Sequence, residues 1–158
     1  MAEIDAKAVA ALRKQTGAGV MDVKQALTEA GGDTGRATEL LKERGLAKAA
    51  KKGEREASEG VVHSYVHGGG RVGVLLEVNC ETDFVARNDE FKALANELAM
   101  QIAAQDPETV EGDDETALLA QPYIKDPKRT VEEVLKEHIS KLGENIKVTR
   151  FTRYELGG

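Results

Sequence analysis

At Gly60 the spacing of apolar residues switches from a period near 3.6 to a period of 2, and this switch constrains the fold of the 158-residue chain more than any other feature. Upstream, apolar residues recur at helical spacing: Val9 and Leu12 with Ala6 and Ala10, then Met21, Val23, Ala26, Leu27 and Ala30, then Ala37, Leu40 and Leu41. Downstream, Val62, Ser64 and Val66 alternate with Val61, His63, Tyr65 and His67. After Gly68-Gly69-Gly70, the residues Val72, Val74, Leu76 and Val78 share one face. Two alternating runs joined by a glycine turn predict an antiparallel hairpin. Helices followed by paired strands define an α+β chain.

Punctuation divides the helical half into three. Asp5 is placed to cap the first helix, Thr16-Gly17-Ala18-Gly19 to break it, Gly31-Gly32 to end the second, Asp33 or Thr34 to cap the third and Gly45 to close it. Residues 1–45 therefore read as a three-helix bundle, too small to be very stable alone and suited to recognition. Residues 46–58, with Lys48, Lys51, Lys52 and Arg55 among small residues, read as a basic linker, helical or partly flexible. Residues 59–158 read as a β-β-α-α-β core with helices on one face of a three-stranded antiparallel sheet. Its first helix is expected over Phe84–Ala104 with Phe91, Leu94, Leu98 and Ile102 as the apolar stripe. Asp106–Glu115 is acidic and irregular, and Gln121–Pro127 extended. A capping box Thr130-Val-Glu-Glu133 opens a helix that Gly143 ends, and Ile146, Val148, Phe151 and Tyr154 lie in the last strand.

Composition limits the function. Mean hydropathy is −0.42, and no apolar run approaches the roughly 20 residues of a membrane helix. Met1–Asp5 has neither a basic nor an apolar signal region. A net charge of −6 argues against direct nucleic-acid binding. The balance is uneven: residues 1–60 hold 11 basic and 10 acidic side chains, residues 61–158 hold 11 and 18. Such a core fits a protein partner. A single cysteine, Cys80, forms no internal disulfide and suits a reducing, cytoplasmic compartment.

No catalytic constellation emerges. His63 and His67, four apart on a predicted strand, sit about 13 Å apart at roughly 3.3 Å per residue, too far to share a metal. The glycine turns lack the phosphate-loop pattern. Cys80 has no base beside it. The chain is therefore expected to be no enzyme and to need no cofactor or metal. Two apolar tips remain: Phe84, in the first turn after the cap Thr82 or Asp83, and Val20-Met21 after the first glycine turn. Each fits either a core contact or an aromatic or aliphatic anchor for a partner.

Several motifs resemble a known family. Leu12-Arg13 with Thr16-Gly-Ala-Gly-Val-Met-Asp-Val-Lys-Gln-Ala-Leu27, the Ala-Lys-rich Ala47–Lys52, Val78-Asn-Cys-Glu-Thr-Asp-Phe-Val-Ala86 with Asn88, Gln121-Pro-Tyr-Ile-Lys-Asp126 and Leu142-Gly-Glu-Asn-Ile146 are similar to the signatures of translation elongation factor Ts, in the same order. The resemblance implies a guanine-nucleotide exchange factor for elongation factor Tu, with a UBA-like bundle over residues 1–45. It implies that Asp83 and Phe84 form a wedge near the Mg²⁺ site of the GTPase, with Thr82 and Val85 supporting the turn. Arg13, Val20 and Met21 would dock the bundle, Val20 standing where many relatives have methionine. Longer members duplicate the core. Single-copy members pair through their sheets, which implies a homodimer, and often carry a helical stretch before the Gln-Pro motif that is absent here.

Overall fold

A computed structural model describes residues 3–158. Met1 and Ala2 lie outside them, and with them the start of the Met1–Asp5 reading. Asp5 accepts from the Lys7 amide at 3.0 Å and opens α1 (Ala6–Thr16), as its position predicts. Gly17 leaves that helix in the left-handed region. Helix α2 (Val20–Glu29) follows, and Asp33 caps α3 (Thr34–Lys52) through the amides of Gly35 and Arg36. Val9, Leu12, Val23, Ala26, Leu27, Ala37 and Leu41 close a small core among the three. Ala10, assigned to the apolar stripe, is exposed instead.

Helix α3 does not end at Gly45. It runs on to Lys52, so the expected linker is largely helix. Glycine is unfavourable in a helix by only about 1 kcal/mol, and here it lets α3 approach a later helix: a Cβ at Gly45 would stand 3.0 Å from Ser140 Oγ. Ala49, on the extension, is buried in the core of the second half. Packing thus outweighs propensity at this position.

The hairpin forms as the alternation predicts. β1 (Glu59–His67) pairs antiparallel with β2 (Val72–Cys80), with Val61 opposite Val78 and Tyr65 opposite Val74. Gly60 is indispensable here, because a Cβ would fall 2.0 Å from the Val78 carbonyl oxygen. β5 (Ile146–Glu155) completes the sheet in the order β1-β2-β5. A register shift between Glu77 and Val78 leaves Thr149 unpaired, and its hydroxyl bonds to Asn79.

The helix expected over Phe84–Ala104 is two helices. A single turn, α4 (Asp83–Ala86), stops at Arg87. Asn88 then accepts from the Glu90 amide at 2.8 Å and starts α5 (Asp89–Gln105). The predicted stripe holds: Phe91, Leu94, Leu98 and Ile102 are at most 1% exposed and pack on the inner sheet face. Beyond the irregular acidic stretch, a two-stranded ribbon absent from the sequence reading pairs β3 (Pro122–Tyr123) with β4 (Asp126–Thr130). Thr130 then caps α6 (Val131–Leu142), accepting from the Glu133 amide at 3.2 Å. The core is accordingly β-β-α-α-β-β-α-β rather than β-β-α-α-β. Its main sheet is three-stranded and antiparallel, with the helices on one face.

Candidate functional site

The turn that joins β2 to α4 is built from polar contacts around one exposed aromatic. Thr82 is the helix cap, and its Oγ1 accepts from the Val85 amide at 3.3 Å. The cap points Val85 and Ala86 into the core, at 7% and 6% exposure. Phe84, on the opposite side of this single turn, is 81% exposed. Of the two roles its position allows, the structure assigns it no core contact. Asp83 beside it is exposed and pairs with Arg87 at 3.2 Å. Val85 is buried in the free chain and anchors the turn from beneath.

A carboxylate from the far end of the chain holds this turn. Glu144 Oε1 accepts from the amides of Glu81 and Thr82 at 3.1 and 2.9 Å, and Oε2 accepts from the Thr82 hydroxyl at 2.7 Å. In return, Glu81 Oε1 accepts from the Asn145 amide at 2.8 Å and pairs with Arg55 at 3.6 Å. The Asn145 side chain, almost fully buried, donates to the carbonyl of Arg55 at 2.7 Å. Cys80, also buried, donates its thiol to the Thr82 carbonyl at 3.2 Å. Burial, with the Glu144 carboxylate nearby, pushes that thiol up to about 11, so it remains protonated at neutral pH.

The second tip lies at the start of α2. Met21 is 74% exposed and Val20 is 37% exposed, while Arg13 on α1 is also exposed. Thr82, Asp83 and Phe84 thus form one accessible group, and Arg13, Val20 and Met21 stand on the bundle. Glu144 and Asn145 stand in the Leu142–Ile146 motif, but nothing in the sequence gives them a role of their own. They follow a helix-ending glycine, and no local pattern shows that a side chain there reaches a turn more than sixty residues earlier.

Other candidate chemistry is accounted for by ordinary contacts. His63 Nε2 lies 3.0 Å from Asn96 Oδ1, and His67 Nδ1 lies 2.7 Å from the Tyr65 hydroxyl. Among the described residues no group of three His, Cys, Asp or Glu side chains could hold a metal ion. A cleft of about 330 Å³ lies between the α1–α2 turn, α3 and α6. On its wall Lys141 pairs with Glu90 at 2.5 Å, and His138 Nδ1 is held by the Val134 carbonyl at 2.8 Å. Among the described residues no helix is long and apolar enough to cross a membrane.

An exposed aromatic on a braced turn has the form of an interface anchor, the kind of residue that dominates protein–protein contacts. The sequence profile described as Elongation factor TS matches residues 2–114 and 81–158. The chain is 47% identical to "Elongation factor Ts" of Desulforamulus reducens, the match covering 99% of this chain and 91% of the relative. It is 46% identical to the protein of that name from Carboxydothermus hydrogenoformans, covering 98% and 89%, and 47% identical to that of Moorella thermoacetica, covering 98% and 96%. The chain belongs to the elongation factor Ts family and is a translation elongation factor. The first of these alignments spans 197 positions against 158 residues, so at least 39 of them face no residue of this chain.

Proposed function

We propose that the chain is a guanine-nucleotide exchange factor for elongation factor Tu, and that it is no enzyme: it lowers the affinity of the GTPase for GDP and Mg²⁺ so that GTP can replace GDP. The observation that carries this reading is Phe84, 81% exposed on the Thr-Asp-Phe-Val turn. Full burial of a phenylalanine side chain is worth about 1.5–3 kcal/mol. That free energy is unspent in the free protein and becomes available on a partner. Phe84 enters an apolar pocket of the GTPase beside its Mg²⁺ site, and Asp83 contacts the neighbouring backbone. The exchange is a coupling between two ligands of one protein, so GDP weakens binding of the exchange factor by the same factor.

Residues 1–45 act as a UBA-like recognition domain and dock on the nucleotide-binding domain through Arg13, Val20 and Met21. Residues 46–58 join it to the core domain, 59–158. Two such chains pair through the outer sheet face, where Val62 and Val66 are each 66% exposed, Leu75 52% and Tyr154 76%. These four side chains lie on adjacent strands of one face by the pairing register, Val66 and Tyr154 both opposite Gly73. The protein works in the cytoplasm, on a GTPase rather than on nucleic acid or membrane.

The test is release of a fluorescent GDP analogue from elongation factor Tu. Addition of this protein is expected to accelerate it strongly. An unchanged rate with the GTPase of the same cell would defeat the assignment.

A further inference from the structure

The direction in which Phe84 points is not set by Phe84 itself. Its ring is almost wholly in solvent, and the helix that carries it has four residues. One turn of helix has no stability of its own, since nucleation fixes several residues for one hydrogen bond. Two things hold the turn in place. From below, Val85 and Ala86 are buried. From the side, the Glu144 carboxylate takes both consecutive amides and the hydroxyl of Thr82.

The hydroxyl contact reaches furthest. With its proton committed to Glu144 Oε2, the Thr82 hydroxyl is held in one rotation that leaves its lone pairs to accept from the Val85 amide, the cap that starts α4. Hydrogen bonds to an ionised acceptor are about twice as strong as neutral ones, so the carboxylate both orients the cap and strengthens it. The return contact from Glu81 to the Asn145 amide makes the two segments hold each other. Arg55 and the carbonyl of Gly53, bonded at 3.4 Å by the Asn145 side chain, bring the chain after α3 into the same node.

We infer that Glu144 is the positioning residue for Phe84: its carboxylate ties the Glu81–Thr82 turn to the start of β5 and thereby fixes the line along which the ring meets its partner. This rests on the reading of Phe84 as the partner-entering residue. Glu144 touches neither nucleotide nor GTPase in this account; it acts through Thr82 and α4.

The test is a double-substitution cycle in the full chain. Glu144→Ala and Glu144→Gln are compared with their parent, each also in a Phe84→Ala background, by GDP release from elongation factor Tu at saturating exchange factor. Misplacing a group by about 1 Å can cost up to about a hundredfold, and Glu144→Ala is expected to slow stimulated release by about tenfold. In the Phe84→Ala background the same substitution is expected to change the rate by less than about twofold, because coupled residues do not add. Glu144→Gln keeps an acceptor for the two amides but offers Thr82 a donor where it needs an acceptor, so its rate falls between the two. It also keeps the cycle readable if Glu144→Ala folds poorly. A Glu144→Ala protein as fast as its parent, with Phe84→Ala slow, would overturn the positioning role alone. So would an equal slowing in both backgrounds, which a merely structural carboxylate would give. Full activity in Phe84→Ala by itself would overturn the wedge reading and this inference together.

Discussion

Three phenylalanines sit in three different environments, and the differences follow from the backbone around them. Phe91 is fully buried on α5, Phe151 half-buried on β5, and Phe84 exposed on the single turn α4. Cys80, whose thiol donates to the Thr82 carbonyl, gives a direct check on the turn. A buried thiol raised to about 11 is neutral and inert at physiological pH. Iodoacetamide at pH 8 is expected to leave Cys80 unmodified in the folded protein and to label it fully in denaturant. Rapid labelling of the native protein would mean that the Thr82 turn opens readily. The sign of the linkage is set by the same shift. The folded value lies above the unfolded value of about 8.5. The thiol's share of stability is therefore fully present below that pH and is lost as pH rises through about 11. At this scale the sequence was informative about identity but not about exposure. A cap followed by an aromatic fits a core staple as well as an anchor. Only the break at Arg87–Asn88, which keeps α4 to one turn, decides between them.

The helix starts at Asp5, Asp33 and Thr130 were legible because they rest on local side-chain chemistry, each accepting amide bonds at the first turn; the start at Asn88 was not, because the cap at Thr82 opens a helix six residues earlier in the same apolar pattern. Element ends and the ribbon were less legible because they depend on distant partners. Gly45 reads as a stop, yet α3 continues through it to pack on α6. The β3–β4 ribbon is fixed to α5 by two buried amides that no spacing rule reveals. Gln101 Nε2 donates to Gln121 Oε1 at 3.2 Å and to the Pro122 carbonyl at 3.1 Å, while its Oε1 accepts from the Ile124 amide at 2.8 Å. Nearby, Glu97 accepts from the Tyr123 hydroxyl at 2.5 Å and from Lys125 at 2.6 Å. Burial opposes ionisation of Glu97, but the Lys125 and Tyr123 bonds outweigh it and hold the carboxyl below its ordinary range. Gln101→Ala would leave several buried polar groups unpaired and open a small void. A loss of about 2–4 kcal/mol of unfolding free energy is expected in a urea titration. A loss near zero would show that water enters and replaces the amide.

Across the whole molecule, the sheet has one packed face and one bare face. Val62, Val66, Leu75 and Tyr154 place a patch of apolar surface on the bare side, of the kind that marks an interface. With one copy of the core per chain, a second chain is the natural cover. Sedimentation equilibrium is expected to give about twice the 17.0 kDa of the chain, and Leu75→Glu is expected to halve it by placing a charge in that interface. A parent protein that sediments as a monomer would refute pairing through this face. The hairpin was legible from alternation, and so was the shared face of Val72, Val74, Leu76 and Val78; the last strand was not, because its register shift keeps Phe151 on the face of Val148 while Tyr154, three residues on, takes the opposite one. Alternation alone does not distinguish a wet outer face from one covered by another chain; the resemblance is what points to pairing there.

The role of Phe84 is tested most directly by stopped-flow release of a fluorescent GDP analogue from elongation factor Tu, driven by the parent protein and by Phe84→Ala. Because the ring is exposed, the substitution should leave thermal unfolding within about 0.5 kcal/mol of the parent, as surface changes do. The variant is expected to keep this stability while stimulated release slows by at least about tenfold, the loss of one buried anchor. Stimulated release at the parent rate from an equally stable Phe84→Ala protein would contradict it, and would move the work of exchange to the bundle tip at Val20 and Met21.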